Sequence, residues 1–384
     1  MDSISLTLVL LIALLIIFGL IEKHFHLNAL KKIPIRIHVN GTRGKSSVAR
    51  LIAAGMRAGG LRTYAKTTGT TPRIINEKGS DVLIHRLRSA SIGEQIKLIR
   101  YFSKKKPDVL IMECMAVNPQ YQWVSEHGIV QSTLGVITNV RPDHLDEMGT
   151  TNKEIAYSLS NTIPFNSKII TAESENLKYL EEISNKRNSI IEKSDEKKID
   201  KKYLDDFPYI EHPENIALAL HVCRELGVST KEALKGMLKT TPDPGALFIW
   251  NLRFESSKCR FISGFAANDP SSTYMVWKLI TQRFNNKKCI FLNTRDDRRY
   301  RTIQLIELVL NSIQPDLFII RADNVQNIIK NYDFDKKKII AYDMASTPSD
   351  VASKIVQLDG YSILGIGNIV GWGENFIDKL KEYQ

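Results

Sequence analysis

Cysteine is scarce in this chain. Cys114, Cys223, Cys259 and Cys289 are the only four among 384 residues, and no two of them form a C-x-x-C pair. That spacing argues against a disulfide framework, and the four read as reduced thiols of a cytosolic compartment. Acidic residues are also in deficit: 42 Asp and Glu stand against 53 Lys and Arg, leaving a net charge of +11. Such a surplus is either solvated surface or a preference for anionic partners, namely nucleic acid, an anionic membrane face or a polyanionic substrate. No segment of the sequence repeats another.

The N-terminal stretch has the opposite character. Ile4 to Ile21 is apolar except for Ser5, Thr7 and Gly19, and it carries no charge. At about 1.5 Å per residue it covers roughly 27 Å, enough to cross a bilayer core. Asp2 precedes it and Glu22-Lys23-His24 follows, unlike the basic start and small-residue cleavage site of a secretory leader. The run is apolar on every face, which argues against a core helix. Lys23, Lys31, Lys32 and Arg36 all follow it and predict a cytoplasmic C-terminal side. Residues 1–33 are thus expected to be a single-pass anchor in the cell membrane, with the catalytic part in the cytoplasm.

The remainder is longer than one hydrophobic core usually organises, so two globular units are expected. Apolar runs at 35–39, 109–113 and 134–140 alternate with helical stretches, the pattern of a parallel sheet with crossover helices. Residues 185–206 are rich in Lys, Asp, Glu and Ser and read as a solvated, mobile segment. Helices are expected over 214–226, stopped by Gly227, and over 230–238. Thr241-Pro242-Asp243-Pro244-Gly245 breaks the chain and places a boundary there, giving units of 34–243 and 244–384. Beyond the break, strands are expected at 258–265, 288–293, 316–321, 338–342 and 361–365, with a helix at 272–283: a second, smaller α/β unit with a Rossmann-like pattern.

Three places carry chemistry. Gly41-Thr42-Arg43-Gly44-Lys45-Ser46-Ser47 lies between an expected strand and helix. Its backbone N–H groups and the helix dipole suit a phosphate; Lys45 would reach the outer phosphates and Ser46 would hold Mg²⁺. The P-loop pattern G-x-x-x-x-G-K-S would start at position 39, which is Val39, so the loop is a shortened G-T-x-G-K-S. Glu113 ends a strand, placed either to hold a divalent cation or to cap the next helix. His144, between Asp143 and Asp146 after the strand 137–140, suits a metal or phosphate site. Thr67-Thr68-Gly69-Thr70-Thr71 is either a plain turn or a hydroxyl-rich contact to substrate.

G-T-x-G-K-S, a strand-end Glu and N-V-x-x-D-H-L-D, in that order, resemble the Mur ligase superfamily, which includes the peptidoglycan amino-acid ligases and folylpolyglutamate synthase. Glu211 to Leu220 is similar to that family's H-N-x-x-N-x-x-A-A helix, which implies Asn215 beside adenine. Phe265 to Pro270 resembles its Y-A-H-N-P, implying a nucleotide role for Asn268, and Thr294 to Arg299 resembles its G-D-R-D, implying one for Asp296 and Arg298. Ala267 and Ala246 stand where the family has His and Arg, and Leu159 where peptidoglycan ligases often carry a metal-binding carbamylated lysine. The short lead into the loop, the membrane segment and Arg43 resemble, within the superfamily, the capsule-type ligases that polymerise glutamate.

That resemblance implies a Mur-ligase-like ATPase domain plus a smaller C-terminal α/β domain. It implies ATP and Mg²⁺ as cofactors and Lys45, Glu113 and His144 as catalytic residues. Ser46, Glu113 and His144 would hold metal, and residues 41–47 would hold the nucleotide. Glutamate and a poly-γ-glutamate chain are the implied substrates, and membrane-embedded synthase or export subunits the partners. Nucleic acid is not among them, and a homo-oligomer is compatible with it. A folylpolyglutamate-type ligase and a P-loop ATPase energising a transporter are the alternatives.

Overall fold

The computed structural model describes residues 3–69, 72–86, 91–207, 209–242, 247–265, 267, 269–295, 299–323, 330, 332 and 334–384. The chain divides into two compact units: Met1–Asp206 with Glu211–Asp243, and Phe207–Ile210 with Pro244–Gln384.

The first unit opens with helix α1 (Ser3–Leu30). Its apolar stretch has a mean hydropathy of 3.1 and none of it is buried. The last turns behave differently: His26, Ala29 and Leu30 are buried, and the His26 Nε2 atom lies 2.7 Å from the Ile129 carbonyl oxygen. Arg100, on α3 (Gly93–Lys105), pairs with Glu22. Helix α1 is therefore continuous from its exposed apolar part into the packed body.

The sheet of this unit runs, among the described residues, β4-β3-β2-β5-β1-β6-β7-β8. The strands are β1 (Ile35–Asn40), β2 (Thr63–Thr67), β3 (Arg73–Ile75), β4 (Asp81–Leu83), β5 (Val109–Glu113), β6 (Leu134–Ile137), β7 (Lys168–Thr171) and β8 (Ile190–Lys193). From β2 to β8 the pairing is parallel. Strands β3 and β4 add antiparallel at the β2 edge, so the sheet is mixed. Residues 185–206, expected as a solvated mobile stretch, instead supply the edge strand β8 and a short helix at Lys201–Asp205. An edge strand needs no apolar run, because one flank and much of its surface meet water.

Strand β5 is buried throughout, as a central parallel strand covered on both faces must be. The pleat sends Leu110 and Met112 towards α3 and Glu113 to the opposite face. On that face lies α2 (Lys45–Ala58), packed in turn against the helices Pro213–Glu225 and Thr230–Met237.

In the second unit the sheet order is β14-β13-β12-β15-β11-β10-β9 among the described residues. The strands are β9 (Tyr209–Ile210), β10 (Leu247–Phe254), β11 (Ser257–Ser263), β12 (Lys287–Asn293), β13 (Leu317–Arg321), β14 (Ile339–Tyr342) and β15 (Tyr361–Gly367). Strands β11 to β15 pair in parallel, and β10 and β9 add antiparallel. Apolar clusters cover both faces, one around Ile290, Leu292 and Ile320, the other around Phe261, Phe291 and Phe376.

A fully buried charge pair pins β1 in the first unit. The His38 Nδ1 atom lies 2.7 Å from Glu126 Oε2, while Glu126 Oε1 accepts hydrogen bonds from Ser132 N and Oγ at 2.9 Å each. Burial opposes charge on the ring, but the Cys114 thiol and the Glu126 carboxylate favour it and lift its pKa to about 9. An unfolded histidine titrates near 6.5. The pair's stabilisation is thus full below about pH 6.5 and is lost as pH rises through about 9. Denaturant unfolding of wild type and His38→Gln should reveal this: the wild-type advantage is expected to shrink by on the order of 2 kcal/mol between those limits. A constant difference between the two proteins across that range would refute the assignment.

Candidate active site

The site grows from the end of β1. Gly41 and Gly44 hold φ of +131° and +81°, a region closed to most other residues. Space is tight as well: a Cβ on Gly41 would fall 2.0 Å from Thr138 Oγ1, and one on Gly44 would fall 2.7 Å from Asn215 Oδ1. Between the glycines the loop is held by the end of β6. The Thr42 hydroxyl donates to Asn139 Oδ1 at 2.7 Å, Arg43 N donates to the same oxygen at 3.1 Å, and Asn139 Nδ2 donates to the Arg43 carbonyl at 3.1 Å. Thr138 Oγ1 donates to that carbonyl at 2.6 Å. The loop then passes directly into α2, whose first-turn N–H groups have no partner within the helix.

Lys45 folds back over the loop, its ammonium donating to the Gly41 carbonyl at 2.6 Å and to that of Thr42 at 3.2 Å. An ammonium has three donors, so one remains. Ser46 Oγ donates to Glu113 Oε2 at 2.8 Å, and the same oxygen accepts from Thr68 N at 2.6 Å. Gly69 N donates to Ser46 Oγ at 3.2 Å. Glu113 therefore does not cap the next helix: Asn118 does, accepting from Gln120 N. The segment Thr67–Gly69 is no plain turn either, since its amides grip both Ser46 and Glu113. Thr70 and Thr71 lie outside the described residues. Ser47 sits in the first turn of α2, and Arg43 points outward with Asp143 3.5 Å away.

A cavity of about 100 Å³ opens beside the loop, with Lys45, Thr68, Cys114, Asp143, His144 and Leu159 on its wall. His144 takes a left-handed φ of +44°, unusual for a side-chain-bearing residue and concentrated at functional positions. Its ring is half exposed, with Asp143 4.0 Å away. Leu159 is buried in an apolar cluster with Val140, Met148 and Ile163. Its own side chain offers a cation no ligand atom.

Asn215 lies on helix Pro213–Glu225 against Gly44, its amide donating to Glu211 Oε1 at 2.8 Å. Burial pushes the Glu211 carboxyl up to about 7, against the hydrogen bonds from Asn215 and His212 N. Asn139 positions the loop directly, and Glu211 positions Asn215 beside it. Both stand inside segments that carry the family resemblance, but their partners follow from which elements become neighbours. Asn268, Asp296 and Arg298 lie outside the described residues, while Ala267 is buried in the segment that follows β11.

The chemistry of the donors can be tested against the groups expected here. Hydroxyl and carboxylate oxygens at Ser46 and Glu113 suit a hard divalent cation. Among the described residues no three His, Cys, Asp or Glu cluster as a complete metal site, so such an ion would depend on oxygens of a bound phosphate. The glycine loop and helix start suit that phosphate.

Comparison with known proteins agrees with this geometry. Residues 39–231 match the Mur ligase middle domain, and residues 249–383 match the C-terminal domain of poly-gamma-glutamate synthase CapB. The capsule biosynthesis protein CapB of Bacillus anthracis is 36% identical over 96% of this chain and 81% of its own length. The PGA synthase CapB of Bacillus subtilis (strain 168) is 35% identical over 98% of both chains. A bifunctional folylpolyglutamate synthase/dihydrofolate synthase, solved with Mn, AMPPNP and L-glutamate bound, shares the fold at a TM-score of 0.63. It is 16% identical over 93% of each chain. With its phosphate loop, strand-end carboxylate and two matched domains, the chain belongs to the poly-γ-glutamate synthase CapB family, ATP-dependent amide ligases built on the Mur ligase frame.

Proposed function

We propose that this chain lengthens a γ-linked glutamate polymer. A carboxylate at the end of the polymer takes the γ-phosphoryl group of ATP, and the amine of an incoming glutamate then displaces phosphate. The C–N bond forms as the C–O bond to phosphate breaks, and the amine gives up its proton. Lys45 is the residue placed to neutralise charge where two anions must approach, using the donor its loop carbonyls leave free. Ser46 and Glu113 would hold Mg²⁺, which would neutralise phosphate charge. His144 sits on the cavity wall as a further ligand or proton-transfer group, and Asn215 braces the loop from the nucleotide side. Leu159 lines the same cavity and gives a second cation no ligand atom of its own.

The observation that carries the reading is the Ser46–Glu113 contact of 2.8 Å beside Lys45, in a chain 35% identical over 98% of its length to a PGA synthase. Helix α1 supports a single-pass anchor in the cell membrane. Lys23, Lys31 and Lys32 follow its apolar part and favour a cytoplasmic catalytic part. That placement suits hand-over of the polymer to membrane-embedded subunits.

Membranes carrying the full chain should release phosphate from Mg²⁺-ATP in a glutamate-dependent way and build a γ-linked ladder visible by mass analysis. Lys45→Ala is expected to lower the rate about 10²–10³-fold. Release indifferent to glutamate, with no amide formed, would overturn the ligase reading.

Glu113→Gln keeps a hydrogen-bond acceptor for Thr68 N but removes the charge. Titration of Mn²⁺ in the presence of ATP, followed by electron paramagnetic resonance, should give about tenfold or weaker metal binding in this variant. Unchanged Mn²⁺ affinity would remove Glu113 from the metal site.

A further inference from the structure

A second cavity, of about 750 Å³, lies at the other end of α2, walled by its last turn, by residues 77–80 and by helix Thr230–Met237. Arg57, Lys78, Lys235 and Lys239 line it, against only two acids, Glu77 and Glu232. None of the four cations forms an ion pair among the described residues.

Arg57 is the informative one. Its Nη1 atom is buried and has no hydrogen-bond partner among the described residues. The carboxylate that favours its charge, Asp81, is already engaged: it takes a two-pronged contact from Arg50 at 2.9 and 2.8 Å and has Arg73 3.7 Å away. Burial and the like charge of Arg50 lower the Arg57 pKa to about 10, with Asp81 opposing. A half-buried guanidinium without a counter-ion is costly, and an anion from outside would relieve that cost.

The form of the cavity selects the anion. Phosphate is best held by helix N-termini and arrays of backbone N–H groups, whereas α2 brings its C-terminal turn to the cavity and helix Thr230–Met237 lies along it, with Glu232, Lys235 and Gly236 on the wall. What remains are four long side chains carrying separated positive charges, and a strand with many carboxylates can meet several of them at once. The volume is several times that of the cavity beside Lys45. Arg57 also lies twelve residues along α2 from Lys45, roughly 18 Å away. The anion held here is therefore not the carboxylate being activated.

We propose that this cavity holds a stretch of the growing poly-γ-glutamate chain, some residues behind the end under extension. The inference rests on the ligase reading above and adds to it a retention site. Holding the product by its body keeps its end at high local concentration, so successive additions fall on the same chain. The two acids on the rim limit the grip, so that the chain can advance.

The test uses the full chain in detergent, a fluorescently labelled γ-linked decaglutamate as probe, and two independent changes. Arg57→Gln removes the buried cation, and Lys235→Glu with Lys239→Glu reverses two exposed charges without touching the core. Anisotropy titration should show at least tenfold weaker probe binding in each, with a shallower dependence on salt in the double variant. Products should become shorter, while glutamate-dependent phosphate release on a short acceptor stays within twofold of wild type. Equal probe affinity and equal product lengths in all three proteins would overturn the proposal. So would displacement of the probe from wild type by inorganic phosphate and not by unlabelled oligoglutamate. A wild type that binds the probe through these residues but releases no glutamate-dependent phosphate would refute the ligase reading instead, leaving a polycarboxylate-binding cavity.

Discussion

The hydrogen bonds between residues 42–43 and Asn139 are the constraint on which the site depends. Each is worth only about 1 kcal/mol net. Together they tie the phosphate loop to the end of β6, a strand distant in sequence and adjacent in the sheet. With the loop fixed, the two glycines must take positive φ, α2 must start at Lys45, and Ser46 must face Glu113 across the β1–β5 pairing. Loss of the sheet register would therefore dissolve the site before it altered any site residue.

Buried charge is distributed in the first unit with a consistent logic. His38–Glu126 fastens β1 to the segment Val124–Val130, and Arg50–Asp81 fastens α2 to the short edge strand β4. Each pair joins elements that apolar contact alone would leave free to slide. Breaking one partner leaves an uncompensated charge, so each tie is strongly enforced. Arg57, about two helical turns beyond Arg50, departs from this pattern, and the departure coincides with an open cavity instead of a packed joint.

The central strands and the helices after residue 210 were legible in the sequence because their signal is local. Val109–Glu113 is a buried apolar run, and Pro213–Glu225 has a proline start and a glycine stop. The glycine loop was legible for the same reason. Strands β3 and β4, three residues each, carry no run to detect. Strand β8 was hidden in a lysine-rich stretch because an edge strand can be polar. The choice for Glu113 between cap and cation ligand could not be made from the strand end alone. It needed Asn118 in the capping position and Ser46 in contact, and both follow from tertiary placement. The positioning roles of Asn139 and Glu211 are not written in their own segments, because their partners are set by which strands and helices adjoin.

Helix α1 has no break between its exposed apolar length and the turns locked by Glu22–Arg100 and by His26 against Ile129. A flexible tether would let a domain tumble near a surface. A continuous helix, about 42 Å long at 1.5 Å per residue, acts instead as an axle. With its apolar length in a bilayer, any spin of the span becomes a spin of the whole first unit, which keeps the phosphate loop at one height above the lipid. The search for a membrane partner then reduces to rotation about one axis and drift in two dimensions.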